Sequence, residues 1–297
     1  MNAAIHLWQQ FELFELTENM RQKEDDTFKN LLNALRVGAF KPEQLKILLD
    51  KVKKNPSGEF ALGKAVRIYP TLKMIDAHTN YVLCNCFSEV TKFDVLAIDR
   101  IIDSPIPYTV EELKIIIPED PNKTGSLCRK LTIFEGARVM LRYNLNQEKG
   151  LVNGAMGIIK QIQWPHYAKT QLDEYSQPKL LIDFEGINEH WIEPKAVQFP
   201  AKYSRGTVER IQLPVILCFA CTVHKMQGAT VNHAVINLGS NIFAAGQAYV
   251  ALSRVRSLDG LILEELDASK VVGKNVCNTK ALVEMERMRK VSKFSNQ

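Results

Sequence analysis

A chain of 297 residues with 46% hydrophobic and 24% charged positions and no low-complexity tract has the composition of a globular protein, long enough for one large domain or two ordinary ones. Lys and Arg number 38 against 33 Asp and Glu; the net charge of +5 permits a polyanionic partner without requiring one. The first ten residues include His6 and Trp8 but not the charged-then-apolar pattern of a leader, and no apolar run reaches membrane-spanning length. The expectation is a soluble, intracellular protein with no membrane partner.

The first amphipathic stripe is Phe28, Leu31, Leu32 and Leu35, spaced i, i+3, i+4, i+7, with Asp25, Asp26 or Thr27 as cap and Gly38 as stop. Pro42 opens a second helix carrying Leu45, Leu48, Leu49 and Val52 on one face. After a polar turn at 53–58, residues 65–69 read as a strand and Pro70-Thr71 opens another helix to about Cys84. This alternation predicts an α/β architecture.

The middle of the chain changes character. Residues 136–142, 156–163, 180–184 and 191–192 read as short strands, separated by a polar segment ending in Asn153-Gly154 and by Glu185-Gly186. Such turn-punctuated strands predict a small antiparallel barrel. From Leu213 the alternation returns: a strand to Ala220, a helix near Gln227, a strand over 234–238, a helix over 245–252 and a strand over 261–263. A basic helix, 280–293, closes the chain with Leu282, Met285 and Met288 loosely on one side. The six cysteines (84, 86, 128, 218, 221 and 277) form no paired CxxC array and read as buried free thiols in a reducing compartment, so no metal site is expected.

Residues 58–65 have the GxxxxGK spacing of a phosphate-binding loop at Gly58, Gly63 and Lys64, but Ala65 stands where the magnesium-holding Ser/Thr belongs. A polar turn precedes the segment and a strand follows it, the reverse of the strand–loop–helix setting the motif needs. It is a chance match.

Three other clusters carry chemistry. Thr222, His224 and Lys225 offer a hydroxyl, an imidazole and an ammonium where an apolar strand ends, and Gln227-Gly228 adds an amide and a bare backbone able to approach a phosphate closely. Ser253 and Arg254 end the 245–252 helix, where a guanidinium could neutralise a transferring phosphoryl group. Arg21-Gln22, before the first helix, offers a second phosphate-sensing arginine. Each has a plainer reading when taken singly: a capped helix start for 222–230, a helix C-terminal cation for Arg254, a solvated cap for Arg21.

In order along the chain, the segments Leu16-Thr17-Glu18-Asn19-Met20-Arg21-Gln22 with 32–38, Ile68-Tyr69-Pro70-Thr71, 136–141 with 150–154, Leu213-Pro214 with 222–228, and 249–254 with Asp259-Gly260-Leu261 resemble the PIF-type (petite integration frequency) superfamily-one DNA helicases, specifically their C-terminal half. The resemblance runs from about Leu7 to Leu266. It implies an α/β fold of RecA-like, P-loop NTPase type: a second motor domain in two parts, 1–135 and 213–270, interrupted by a small Src-homology-like β-barrel at 136–212 and followed by a basic tail, 271–297. It further implies that Arg21 and Arg254 act catalytically on the terminal phosphate of ATP, that Gln227 and Gly228 border the nucleotide, and that Thr222, His224, Lys225 and Asn153 face single-stranded DNA. The first RecA-like domain, with its phosphate-binding loop and magnesium-holding carboxylates, is expected as a partner lying outside these residues. The full-length family uses ATP and Mg2+; neither is expected to bind this chain tightly alone. The implied activity is 5′-to-3′ unwinding, with the chain inactive by itself. The alternative is a non-catalytic, transposon-derived remnant that binds DNA or a partner.

Overall fold

A computed structural model of the chain describes residues 11, 13–16, 18–103, 108–165, 176–272 and 276–295. His6, Trp8 and Thr17, singled out in the sequence, lie outside the described residues. In chain order the elements begin with α1 (Asp26–Arg36), α2 (Pro42–Asp50), β1 (Val66–Tyr69), α3 (Leu72–Asn85), β2 (Phe93–Leu96), β3 (Ile98–Ile101) and α4 (Val110–Ile116). Seven strands follow: β4 (Lys130–Ile133), β5 (Arg138–Leu141), β6 (Met156–Gln163), β7 (Lys179–Phe184), β8 (Asn188–Ile192), β9 (Lys195–Pro200) and β10 (Thr207–Gln212). The chain continues through β11 (Val215–Leu217), β12 (Ala220–Thr222), β13 (Ala234–Leu238), α5 (Gln247–Leu252), β14 (Leu261–Leu266) and α6 (Thr279–Ser295). It divides into two compact units: Met1–Phe60 with Arg67–Leu72 and Thr222–Gln297, and Ala61–Val66 with Lys73–Cys221.

In the first unit the apolar stripe does what its spacing requires. Phe28, Leu31, Leu32 and Leu35 are all buried along α1, which packs on α5. Asp25 is the cap: its Oδ1 accepts from the Phe28 amide at 2.8 Å. The helix stops at Gly38, whose φ of +71° suits a residue without Cβ. The Ala39 amide then bonds the Ala34 carbonyl and the Gly38 amide the Leu35 carbonyl, the paired bonds of a Schellman stop. In α2 only Leu48 is buried and Leu49 is 49% exposed, so its apolar face is narrower than the sequence suggests. That helix meets β14 along one edge, and Val52 bridges Leu263.

One sheet has the order β12-β1-β13-β14. All five residues of β13 are buried, and β13 runs parallel to β14. A strand covered on both faces in a parallel pairing reads as a near-continuous apolar run, as 234–238 does but for Asn237, whose buried amide donates to Glu264 and Glu265. The strand leading into Thr222 lies next to the 66–69 strand.

The second unit is antiparallel. Its five-stranded sheet has the order β11-β5-β6-β7-β8, and β3-β10-β9 and β2-β4 form two smaller sheets. The core contains Val139, Leu141, Ile159, Leu180, Ile182, Phe184 and Phe219, with Phe87 and Phe134 rings 4.9 Å apart. The antiparallel pairing begins at β2, upstream of residue 136, and extends through β11, beyond 212.

Two expectations are corrected. The apolar run from Leu213 to Ala220 is not one strand. β11 pairs antiparallel with β5, while β12 belongs to the sheet that contains β13. The Cys218 amide bonds the Arg138 carbonyl at 2.8 Å, between the two strands. The helix expected near Gln227 is a single 3-10 turn, His224–Met226, because Gly228 at φ +86° stops it. The rejected 58–65 segment holds a 3-10 turn and leads straight into β1. Of the six cysteines, Cys218 and Cys221 are buried, whereas Cys84 and Cys86 are exposed. Among the described residues no helix is long and apolar enough to cross a membrane, and no group of three or more His, Cys, Asp or Glu could hold a metal.

Candidate functional site

Arg21 sits in the turn before α1 and Arg254 just past α5, and both depend on the same residue, Ser253. The turn is made by Asn19, whose Oδ1 accepts from the amides of Arg21 at 3.0 Å and Gln22 at 3.2 Å. Gln22 is 3% exposed and anchors it: its Nε2 donates to the Val255 carbonyl at 2.6 Å and to the Ser253 carbonyl at 3.4 Å. Asp25 adds a second tie, its Oδ2 accepting from the Leu258 amide at 2.9 Å. So fixed, Arg21 reaches across 232 positions of sequence to donate from Nη1 to the Ser253 carbonyl at 2.9 Å, and from Nε to Thr230 Oγ1 at 2.8 Å.

Arg254 curls back on its own helix. Its Nε donates to the Val250 carbonyl at 2.8 Å, Nη2 to Ser253 Oγ at 2.6 Å and Nη1 to the Met226 carbonyl at 3.4 Å. The 226–230 segment is therefore held at both ends, by Arg254 at Met226 and by Arg21 at Thr230. Gln227 and Gly228 lie between, both exposed. A Cβ at Gly228 would meet nothing within 4 Å, so its φ of +86°, and not crowding, is what requires glycine. The four residues expected at a nucleotide are thus brought into one constellation.

The electrostatics are unusual. Among the described residues no carboxylate lies within ion-pair distance of Arg21, Arg254 or Arg256. Burial lowers the Arg254 pKa below its ordinary value and the neighbouring Arg21 charge lowers it further, with Tyr249 acting the other way. Arg21 is lowered by burial first, and next opposed by Tyr249 and pushed down again by Arg256. Guanidinium stays charged through such shifts. Two half-buried positive charges are thus held side by side, satisfied by carbonyls and hydroxyls that neutralise nothing. Arg21 lines, with Lys23, Lys29, Arg36 and Ser253, a groove of about 990 Å3 that also contains Tyr249 and the acidic Glu15 and Glu18; Arg254 stands behind Ser253 and does not itself line it. An oxyanion with several acceptor oxygens suits such a wall.

The residues expected at DNA are less closely grouped. Thr222 is half-buried and its Oγ1 accepts from the Lys225 amide at 3.3 Å, which caps the turn; His224 and Lys225 are exposed. Asn153 belongs to the second unit, exposed in a turn where its amide donates to Asn144 Oδ1 at 2.8 Å. Sequence reading gave no separate role to Gln22, Thr230 or Tyr249. All three sat inside the quoted segments, but only the fold shows that Gln22 and Thr230 position Arg21.

The parallel β13–β14 pair, the α/β alternation and this arginine pair define a RecA-like fold. Within that class, the chain is similar to the Pif1-type DNA helicases. Residues 125–162 match the family described as "DNA helicase Pif1, 2B domain". Over 273 residues the chain is 29% identical to the ATP-dependent DNA helicase PIF1 of Xenopus laevis, covering 92% of this chain and 37% of that protein. Against PIF1 of Mus musculus the identity is 30% over 266 residues, covering 87% and 35%. The crystal structure of Pif1 helicase from Candida albicans matches with a TM-score of 0.65 at 26% identity, covering 91% of this chain and 59% of that one. A Bacteroides Pif1 in complex with ADP-AlF3 and single-stranded DNA shares the fold, with a TM-score of 0.59 at 21% identity over 95% of this chain and 57% of that one. The chain therefore spans little more than a third of the length of these two PIF1 helicases.

Proposed function

We propose that the chain is the second motor domain of an ATP-dependent, 5′-to-3′ DNA helicase, with Arg21 and Arg254 facing the terminal phosphate of ATP and Gln227 and Gly228 bordering the nucleotide. The observation that carries this reading is the uncompensated arginine pair: two half-buried guanidinium groups with no carboxylate between them, in a chain related to Pif1 helicases. ATP and Mg2+ would be held chiefly by a phosphate-binding-loop domain, since these 297 residues contain no GxxxxGK[ST]. Single-stranded DNA would run past Thr222, His224, Lys225 and Asn153, with Lys225 contacting phosphate. The strands of 136–212 would close as a small inserted barrel. ATP would draw the arginines toward the first motor domain, and that closure would shift the DNA-facing loops along the strand.

The test joins this chain to the phosphate-binding-loop domain of a Pif1 helicase. Arg254→Ala should then lower ATP turnover on the order of a thousandfold or more, while affinity for DNA without nucleotide changes little. Turnover near that of the unsubstituted fusion would reject the assignment. The 297-residue chain alone should show no DNA-stimulated ATPase; robust turnover lost in Lys64→Ala would rehabilitate the 58–65 segment.

A further inference from the structure

The loop between β13 and α5 presents Phe243 to solvent, 71% exposed, while its neighbour Ile242 is buried at 4%. A single exposed aromatic is ordinary on a protein surface. This one differs in how its backbone is held and in what stands beside it. Gln247, 4% exposed, accepts from the amides of Phe243 at 3.1 Å and Ala244 at 3.3 Å through Oε1. The loop is tied again where the Gly246 amide bonds the Val276 carbonyl at 2.8 Å. A buried polar side chain is thus committed to fixing the loop that displays the ring. The His224 ring lies 6.3 Å from that of Phe243, inclined by 31°. His224 and Lys225 are both exposed on the adjoining turn. A pocket of about 260 Å3 is lined by His224, Ala244, Gln227, Tyr249 and Gln247, whose buried Nε2 has no hydrogen-bond partner.

We propose that Phe243 is a stacking platform for one base of single-stranded DNA, with His224 as its flank, Lys225 on the adjacent phosphate and Gln247 as the residue that positions the loop. This rests on the single-stranded DNA reading above and adds to it a base-contacting residue. The chemistry is that of a wall with one aromatic face for any base and one cation for the backbone. It predicts affinity that depends on the presence of bases but little on their identity.

The experiment measures fluorescence-anisotropy affinity of the full 297-residue chain for a labelled oligothymidylate and for an oligomer of equal length made of abasic sugar-phosphate. Phe243→Leu should weaken oligothymidylate binding about 5- to 150-fold, the range for one stacked base, and Phe243→Trp should restore it. On the abasic oligomer the unsubstituted chain and Phe243→Leu should bind alike. The slope of affinity against salt should be the same for both, because stacking releases no counterions, whereas Lys225→Ala should flatten it by about one ion. Oligothymidylate affinity unchanged in Phe243→Leu, or an equal loss on the abasic oligomer, would overturn the platform while leaving the DNA reading standing. Failure of the unsubstituted chain to bind either oligomer at low salt would overturn the DNA reading itself, and the platform with it.

Discussion

Arg210 in the second unit and Arg254 in the first are both withdrawn from water, but they are compensated differently. Arg210, 2% exposed, makes a two-pronged pair with Asp99, Nε to Oδ1 at 2.7 Å and Nη2 to Oδ2 at 2.8 Å. Its Nη1 donates to the Leu127 carbonyl at 3.0 Å, and its guanidinium lies 5.6 Å from the Phe199 ring centroid. Charge, hydrogen bonds and packing are all answered within the unit. Arg254 has hydrogen bonds but no opposite charge, and it has a second arginine as neighbour. A buried charge that is fully paired serves the fold; one left without a counter-charge is compensated only when a ligand brings it. That difference is what would separate a structural arginine from the ligand-facing one proposed for Arg254, without appeal to motif.

The largest effect should come from breaking the structural pair. Asp99→Asn keeps the shape but leaves Arg210 charged and buried without an anion, at a cost of about 3–5 kcal/mol. Hydrogen exchange of the β3 and β10 amides should report it locally. Replacing both partners, Asp99→Leu with Arg210→Met, should recover most of the loss. A double variant no better than Asp99→Asn alone would mean that the pair stabilises the unit beyond cancelling its own burial.

Next in size is Gln22→Ala. It leaves the Val255 carbonyl without its donor and frees the turn that carries Arg21, so a loss of about 1–3 kcal/mol is expected. Exchange at α1 and in the 253–255 segment should read it. Asp25→Ala follows at about 1 kcal/mol, the usual worth of an N-cap, raised if its second bond to the Leu258 amide matters. An unchanged α1 in either variant would show that the arginine turn is held by packing alone.

How much of this was legible beforehand follows from the range of the interactions. The stripe on α1, its Asp25 cap and its Gly38 stop are local, and so is the β13 run; sequence spacing carries them. The segment from 85 to 135 stayed blank because β2, β3 and β4 are four residues each and find partners far along the chain. The 213–220 run misled because apolar character reports burial but not which sheet a strand joins; β11 and β12 belong to different ones. Arg21 and Arg254 stood out singly as candidates, each with a plainer reading, and only the resemblance joined them to one nucleotide. That they meet at Ser253 is a property of α1 packing on α5, which no window of sequence contains.

The smallest stability effect should belong to the Arg21–Arg254 pair itself, and this sharpens the comparison most. Arg21→Met or Arg254→Met removes two or three hydrogen bonds but also relieves burial of an uncompensated charge and its repulsion from the other arginine. These terms oppose one another, so the change should stay within about 1 kcal/mol, far below that for Asp99→Asn. The two classes should separate again when an anion is added. Tripolyphosphate, which offers the oxygens of a nucleotide tail without the base, should protect the first unit of the unsubstituted chain against exchange. At ten times its dissociation constant the protection would be about 1.4 kcal/mol by mass action. The double variant Arg21→Met/Arg254→Met should lose that protection, and rising salt should erode it in the unsubstituted chain. A variant protected as well as the parent would move the anion to Lys23, Lys29 and Arg36 elsewhere in the groove. The arginines would then be a second structural pair, held by carbonyls in place of a carboxylate.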